Sequence, residues 1–210
     1  DQEWARFKET TVKSGAENAS AKKVLPLGAT SSFQHWEPWP LSIVSAKGAW
    51  MTDVDGRRML DLSMGFGAML AGHLNPIVTE EIRNSLDEGM LFVMPSPISR
   101  DAAERICKRF NIDQVRFANS GTEAVMYAIR TARAYTGKDA IVKVEGGYHG
   151  SYDPLMVSNK AELELAGSES DPTPVPLSAI VPGDVWVVPY NNAESLERVF
   201  KANASKIACL

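Results

Sequence analysis

The stretch FANSGTEAVMYAIRTAR (117–133) predicts the end of a strand, a tight turn and the start of a helix in immediate succession. VRFA (115–118) has the composition of a short strand, and turn-forming residues follow it. We expect the helix over 122–136, with Gly137 as its stop, since glycine suits the left-handed conformation that follows many helices. The rest of the fold is predicted outward from this unit.

The turn at the start of this helix has the chemistry of an anion site. The first amides of a helix have no intrahelical partner, and the helix dipole adds positive charge there. Gly121 allows close approach to the backbone, while Ser120 and Thr122 add hydroxyl donors, which is what holding a phosphate requires. Spacing alone leaves a simple Ser or Thr helix cap as the alternative. The chain has no GxxxxGK[ST] or GxGxxG motif, so nucleotide fingerprints are not supported.

Strand and helix patterns alternate along the second half of the chain. Strands are predicted for AIVKV (140–144), VWVV (185–188) and KIACL (206–210), and helices over 99–110 and 193–202. This alternation favours βαβ units and therefore an α/β fold with a mainly parallel, buried sheet.

The first part of the chain follows a different pattern. Residues 41–63 are strand-like around Asp55-Gly56, a strong hairpin signal, and predict a β-meander. A helix is expected to begin at Pro76 with Asn75 as its cap. The expected domains are an N-terminal segment with the meander over 1–75 and the first part of a larger domain over 76–210.

A second candidate for chemistry is EGGYHGSYD (145–153), which directly follows the strand at 140–144. It is expected at a carboxyl end of the sheet, where open α/β folds bind ligands. Paired glycines place Tyr148 and His149 on an exposed turn, where the aromatic ring can stack on a planar ligand and the imidazole can donate to it or transfer protons. A hydrogen-bonded structural pair is the alternative.

Composition excludes several classes of function. The chain has 22 Lys and Arg against 26 Asp and Glu, a net charge of −4, so no basic field favours nucleic acid or a membrane surface. Its apolar runs are far shorter than the roughly 20 residues of a spanning helix. The 3 histidines lack metal-site spacing, and the 2 cysteines form no disulfide framework. We therefore expect no metal and a cytoplasmic location.

The order and spacing of these motifs resemble the class III aminotransferases, pyridoxal-phosphate enzymes of fold type I. The most similar branch contains the glutamate-1-semialdehyde 2,1-aminomutases and the β-amino-acid aminotransferases. The resemblance rests on GAWMTDVDGRRMLDLSMGFGAMLAGHLNP (48–76), RFANSGTEAVMYAIRTARAYTGKDAIVKVEGGYHGSYD (116–153) and VVPYNNAESLERVF (187–200). It implies a large domain with helices on both faces of a mainly parallel sheet, present here in part, and a small domain to which 1–75 contributes.

The resemblance also implies roles for the residues already singled out. Residues 120–122 would hold the phosphate of pyridoxal 5′-phosphate or pyridoxamine 5′-phosphate, Tyr148 would stack on the pyridine ring, and His149 would lie in the cofactor pocket. The segment at about 152–183 would gate the active site. By the same resemblance, the protein would use small-molecule amino donors and acceptors and would be a homodimer with shared active sites.

The substrate side departs from the family pattern. Members of this branch grip a carboxylate with an arginine in the stretch that corresponds to GATSSFQHWEPWP (28–40), which contains none. Gln34 or Ser31 falls near that place. Trp36, Trp39 and Phe66 are expected to form an apolar, aromatic pocket for a bulky amine or amino acid. For the two tryptophans, a plug on the core is the alternative.

The chain is interpreted as the amino-terminal half of a longer aminotransferase or aminomutase. In the family, the Schiff-base lysine and the carboxylate that pairs with the pyridine nitrogen lie further along the chain, so the lysine is expected downstream of Leu210 and no catalytic residue within the 210. A non-catalytic phospholigand-binding or interaction domain is the alternative. A hydrolase that uses Ser120, His149 and Asp153 lacks the GxSxG turn of a nucleophilic serine.

The 210-residue chain by itself is predicted to have no transaminase activity. Transamination needs a primary amine with a lowered pKa. Lys138 follows the helix stop, Lys143 lies within a strand, and Lys160 lies in the expected gate, so none is expected to reach the cofactor. Borohydride reduction in the presence of pyridoxal phosphate, followed by peptide mapping, checks this. A stoichiometric adduct at one lysine together with turnover would contradict it.

Overall fold

The computed structural model describes residues 2–159, 167–168, 171–172, 174–175 and 184–210. The chain divides into two units, Asp1–Ser96 and Pro97–Leu210. The helices and strands of the first unit are α1 (Gln2–Thr10), α2 (Val12–Ala21), β1 (Ile43–Lys47), β2 (Trp50–Asp53), β3 (Arg58–Leu60) and α3 (Pro76–Leu86). Those described in the second unit are α4 (Pro97–Phe110), α5 (Gly121–Thr136), β4 (Ala140–Val144), β5 (Gly167–Ser168), β6 (Asp171–Pro172), β7 (Val185–Val188), α6 (Ala193–Asn203) and β8 (Ile207–Cys209).

An antiparallel meander organises the first unit. β1 pairs with β2 and β2 with β3, and the turn between the last two strands contains Asp55 and Gly56, which confirms the hairpin prediction. The Asp55 carboxylate accepts hydrogen bonds from the amides of Lys13 and Ser14 at the start of α2, at 2.8 and 3.0 Å. The same turn that reverses the chain therefore also caps α2 and holds it against the meander.

A parallel sheet forms the centre of the second unit. Within the described residues its strand order is β7-β4-β8, and Ile141 lies opposite Val185. Consecutive residues of a strand face opposite sides of the sheet. Ile141 accordingly packs with Ile129 of α5, and Val142 packs with Leu196 of α6. Helices therefore cover both faces of the sheet, and the predicted α/β class is confirmed.

The helix ends follow the signals in the sequence. The Asn75 side chain accepts hydrogen bonds from the amides of Ile77 and Val78 at 3.1 and 3.3 Å, so it caps α3 as expected. A cap of this kind contributes about 1 kcal/mol to stability. Gly137 ends α5 in the left-handed region at φ 68°, and its amide bonds to the Arg133 carbonyl. Both ends are decided by local chemistry.

One feature of the structure differs from the sequence expectations. VRFA (115–118) is not a strand, because no strand of the described residues lies beside it to supply hydrogen bonds. The structure divides into its two units after Ser96, so α3 lies in the same unit as the meander. The loop before α3 is held to the meander by paired backbone bonds between Gly48 and His73, at 2.8 and 2.9 Å.

The expected gate at 152–183 is described only in part, and its remainder lies outside the described residues. At its start, Asp153–Leu155 forms a single 3-10 turn, and further on β5 pairs antiparallel with β6. None of the helices in the described parts of the chain has the length and apolar character needed to cross a membrane.

Candidate functional site

The start of α5 is held by reciprocal hydrogen bonds of its own residues. Ser120 precedes the helix, and its Oγ accepts a hydrogen bond from the amide of Glu123 at 3.2 Å. The Glu123 carboxylate turns back and accepts from the amide of Asn119 at 2.7 Å. This arrangement is close to a capping box, with the glutamate reaching one residue further back. For Ser120 it matches the helix-cap alternative.

Two amides of the first helical turn remain open. Within the described residues, no group accepts from the amides of Gly121 and Thr122, because a helix has no intrahelical acceptors for its first amides. The space beside Gly121 is also free, since a Cβ there would meet nothing within 4 Å. An anion can therefore reach two N–H donors at the positive end of the α5 dipole.

The loop that follows β4 closes against this helix start. The amide of Ser151 donates to Thr122 Oγ1 at 3.1 Å. Gly150 lies at φ +94°, and a Cβ on it would be 2.6 Å from Thr122 Oγ1. Only glycine satisfies both the backbone conformation and the close contact. The two candidate motifs of the sequence, NSGT and EGGYHGSYD, thus meet at the carboxyl end of β4.

Tyr148 and His149 have different surroundings on this loop. Tyr148 is about half exposed, and its hydroxyl lies 3.4 Å from Ser151 Oγ. His149 is partly buried and lines a cavity of about 260 Å³ together with Lys143 and Ile129. Burial, and then the charge of Lys143, lower the pKa of His149, so its imidazole is neutral at neutral pH. A neutral imidazole offers one donor and one acceptor nitrogen to a ligand.

Lys143 is the residue of this region whose importance the sequence reasoning missed. Its side chain is buried, with only 3% exposed. Its Nζ donates to the carbonyl of Leu155 at 3.1 Å and to that of Val157, and burial lowers the pKa of the amine. The available signal was a lysine inside an otherwise apolar strand, AIVKV, since buried lysines are rare.

Of the other two lysines considered from the sequence, Lys138 does not approach the start of α5. Lys138 donates through Nζ to the carbonyl of Ala204 at 2.6 Å, next to the opposite end of α5. Lys160 lies outside the described residues. The amines of Lys138 and Lys143 are thus both bound to backbone carbonyls.

In the first unit, the structure brings Phe66 next to the segment that contains Gln34. The rings of Phe66 and Phe33 have centroids 6.0 Å apart in an edge-to-face arrangement. Gln34 accepts a hydrogen bond from the Thr30 hydroxyl, and Trp36 is 69% exposed. Phe66, Gln34 and Trp36 therefore lie on the surface of this unit and are available for contacts.

Trp39 behaves differently from Trp36. Its indole N–H donates to Thr11 Oγ1 at 2.9 Å, and its ring lies against Phe7 with centroids 6.2 Å apart. The ring also packs on Gly15, where an added Cβ would lie 2.9 Å from it. This packing against α1 and α2 matches the plug alternative for Trp39.

The loop that contains Phe66 is anchored by one carboxylate. Asp61 accepts hydrogen bonds from the amides of Ser63 and Met64, at 2.9 and 2.8 Å, and from His73 Nε2 at 2.7 Å. The hydrogen bonds from His73 and from the Met64 amide hold the pKa of Asp61 below its usual range. His73 therefore serves the structure of this loop.

The described site residues favour some chemistries over others. Ser120 and His149 share no hydrogen bond, and the Ser120 hydroxyl is used as a helix cap, so the described structure contains no serine–histidine pair for a hydrolase. Nowhere do the described residues gather three or more His, Cys, Asp or Glu side chains. An open helix start beside an aromatic ring fits a planar ligand that has a phosphate.

Most of the chain matches known proteins. The family described as aminotransferase class-III matches residues 32–210. A glutamate-1-semialdehyde 2,1-aminomutase of Methanocella arvoryzae is 40% identical over 195 residues, which cover 90% of this chain and 44% of that protein.

Solved structures of transaminases have a similar fold. An omega-transaminase from Sphaerobacter thermophilus superposes with a TM-score of 0.88 at 34% identity, over 93% of this chain and 45% of its own. A beta-phenylalanine aminotransferase from Variovorax paradoxus gives a TM-score of 0.83 at 28% identity. The match covers 98% of this chain and 44% of that protein. The chain thus spans less than half the length of each of these relatives.

Asp61→Asn is predicted to destabilise the first unit in a pH-dependent way. The pKa of Asp61 is lowered in the folded state from an ordinary value of 3.8, so its contribution is complete above about pH 4 and is lost as the pH falls through the folded pKa. The urea midpoint of the variant should lie below that of the wild type at pH 6, and the gap should narrow as the pH falls below 3.8.

Tryptophan fluorescence measures this unfolding, because Trp4, Trp36, Trp39 and Trp50 are four of the 5 tryptophans and lie in the first unit. Asp87→Asn, at an exposed carboxylate after α3, is the matched control and should leave the midpoint unchanged at pH 6. A gap between Asp61→Asn and wild type that is equal at pH 6 and pH 3 would argue against the Asp61 anchor.

Proposed function

The chain belongs to the class-III aminotransferases, and from this premise we propose that the intact protein transfers amino groups with pyridoxal 5′-phosphate or pyridoxamine 5′-phosphate as its cofactor. The observation that carries the proposal is the open start of α5 beside the loop that contains Tyr148. Aminotransferase and aminomutase chemistry share this requirement, and both remain within the proposal.

The phosphate group is assigned to the first turn of α5. The amides of Gly121 and Thr122 point out of the helix start, and the hydroxyls of Ser120 and Thr122 can donate to the same anion. Thr122 Oγ1 accepts from Ser151, which leaves its own O–H free to turn toward the ligand. A charged donor is not needed, because the helix dipole supplies partial positive charge at this end.

The ring of the cofactor is assigned to Tyr148, with His149 nearby. Tyr148 lies on the loop that Ser151 joins to Thr122, so its ring is positioned beside the proposed phosphate site. Its exposed face can stack on a planar heterocycle. His149 is neutral at neutral pH and can therefore accept a hydrogen bond from the cofactor or donate one to it.

When bound, the cofactor supplies an electron-withdrawing ring that stabilises negative charge on the substrate carbon next to the amine. The residues of this chain bind and orient that ring. Lys138 and Lys143 engage their amines on carbonyls, so we propose that the amine that reacts with the cofactor comes from elsewhere in the protein. The residues of this chain are therefore proposed to bind the cofactor without supplying the reacting amine.

The substrate is proposed to be a bulky or apolar amine or amino acid. Support comes from the exposed aromatic side chains of Trp36 and Phe66 and from the lack of arginine in residues 28–40. The solved omega-transaminase and beta-phenylalanine aminotransferase are consistent with this choice. The competing substrate is glutamate-1-semialdehyde, in accord with the name of the Methanocella arvoryzae relative. Gln34 is proposed to orient the substrate, while Trp39 packs against α1 and α2.

Tyr148→Ala is predicted to weaken binding of pyridoxal phosphate to the intact protein by about fivefold, since an aromatic stacking contact contributes roughly 1 kcal/mol. Affinity for inorganic phosphate should stay unchanged, because the α5 amides are untouched. Tyr135→Ala, at an exposed tyrosine near the other end of α5, is the matched control. Titration by fluorescence quenching measures the pyridoxal phosphate affinity of the wild type, Tyr148→Ala and Tyr135→Ala. An unchanged affinity in Tyr148→Ala would contradict the stacking role.

A substrate panel tests the proposed preference. Hydrophobic amines and β-aromatic amino acids should react with higher kcat/KM than glutamate-1-semialdehyde or short dicarboxylic substrates. Phe66→Ala should raise KM for the hydrophobic substrates by about tenfold, the effect of losing one large apolar contact. Phe110→Ala, at an exposed position at the end of α4, should not. Preference for glutamate-1-semialdehyde would reverse the substrate assignment.

A further inference from the structure

We propose that Lys143 is a positioning residue for the loop that holds Tyr148 and His149. The inference deepens the proposed function and rests on it where it concerns cofactor binding. Lys143 is not proposed to react; it holds the loop in the conformation that positions Tyr148 and His149. The loop is defined as residues 145–152, between the end of β4 and the 3-10 turn Asp153–Leu155.

The two ends of this loop are joined by hydrogen bonds that include the Lys143 amine. Lys143 Nζ donates to the carbonyls of Leu155 and Val157, the first at 3.1 Å. Alongside, the amide of Gly146 donates to the carbonyl of Ser158 at 2.8 Å. Residues 143–146 and 155–158 therefore form the base of the loop, and Lys143 makes two of these three bonds.

The burial of Lys143 shows that the carbonyls are its principal compensation. The side chain shares its face of β4 with Ile141, among the apolar side chains of Ile129, Leu155 and Val187. Within the described residues no acidic side chain forms an ion pair with it. A buried amine without a hydrogen bond is destabilising, and so is a buried carbonyl without a donor. The hydrogen bonds of Lys143 therefore stabilise both its amine and the base of the loop.

The far side of the loop is attached to α5 by a hydrogen bond. The Ser151 amide donates to Thr122 Oγ1 at 3.1 Å, and Gly150 packs on the same side chain. Tyr148 lies between this attachment and the base. Release of the base removes one of the two attachments of the loop, so the Tyr148 ring is expected to be held less firmly beside the proposed phosphate site.

Lys143→Met in the intact protein tests this, because methionine fills a similar volume without an amine. Lys138→Met is the matched control, since Lys138 also donates to a distant backbone carbonyl but at the other end of α5. In the cofactor-free proteins, amide hydrogens of 145–152 should exchange about tenfold faster in Lys143→Met than in wild type, and no faster in Lys138→Met.

Cofactor binding gives the second readout. Lys143→Met should weaken pyridoxal phosphate binding about fivefold, as Tyr148→Ala does, with inorganic phosphate affinity unchanged. In the Lys143→Met background, adding Tyr148→Ala should cost less than about twofold, because the two changes remove one and the same contact. Additive losses would show that Lys143 does not act through Tyr148 and would overturn the proposal.

The remaining outcomes are also decisive. Unchanged exchange of 145–152 in Lys143→Met overturns the proposal whatever the affinity. Lys143→Gln, which keeps one amide donor, serves as a milder variant, and an intermediate exchange rate supports the proposal. If neither variant folds, Lys143 supports the whole sheet and the positioning role is wrong. If wild type binds no pyridoxal phosphate, the proposed function fails, while the exchange experiment still decides on Lys143.

Discussion

Every strand of a parallel sheet ends at the same edge, and the pairing of β4 with β7 and β8 imposes that edge on the second unit. α5 must run from this edge back to the opposite one before β4 can begin. Its first turn therefore lies beside the end of β4. The open amides of Gly121 and Thr122, the Tyr148 loop and the buried Lys143 all take their places from this single geometric requirement.

The sequence predicted those parts of the fold that local chemistry decides. β4 and β7 have the predicted bounds because strands buried on both faces are continuous apolar runs. α5 ends at Gly137 because glycine takes the left-handed conformation without strain. VRFA has the same apolar character, yet it is not a strand, since a strand also needs a neighbour and no local pattern provides one.

In the candidate site, too, features decided by local sequence differ from features decided by distant contacts. Residues 120–122 and Tyr148 could be proposed from the sequence because residue types indicate a helix start and a loop after a strand. The role of Lys143 was missed: its place in an apolar strand was a signal of burial, but its partners are backbone carbonyls, which residue types do not reveal. Likewise, Trp36 and Trp39 are indistinguishable in composition, and only the approach of Thr11 and Phe7 makes Trp39 a packing residue.

The bonds around the Tyr148 loop close chain segments of unequal length. Lys143 meets Leu155 and Val157 across 12 and 14 residues, whereas Ser151 meets Thr122 across 29. Loop closure costs about 0.6 kcal/mol more for each doubling of length. The hydrogen bond between the loop and α5 therefore has the larger chain entropy to overcome, by roughly 0.6 kcal/mol, and the bonds at the base have the smaller.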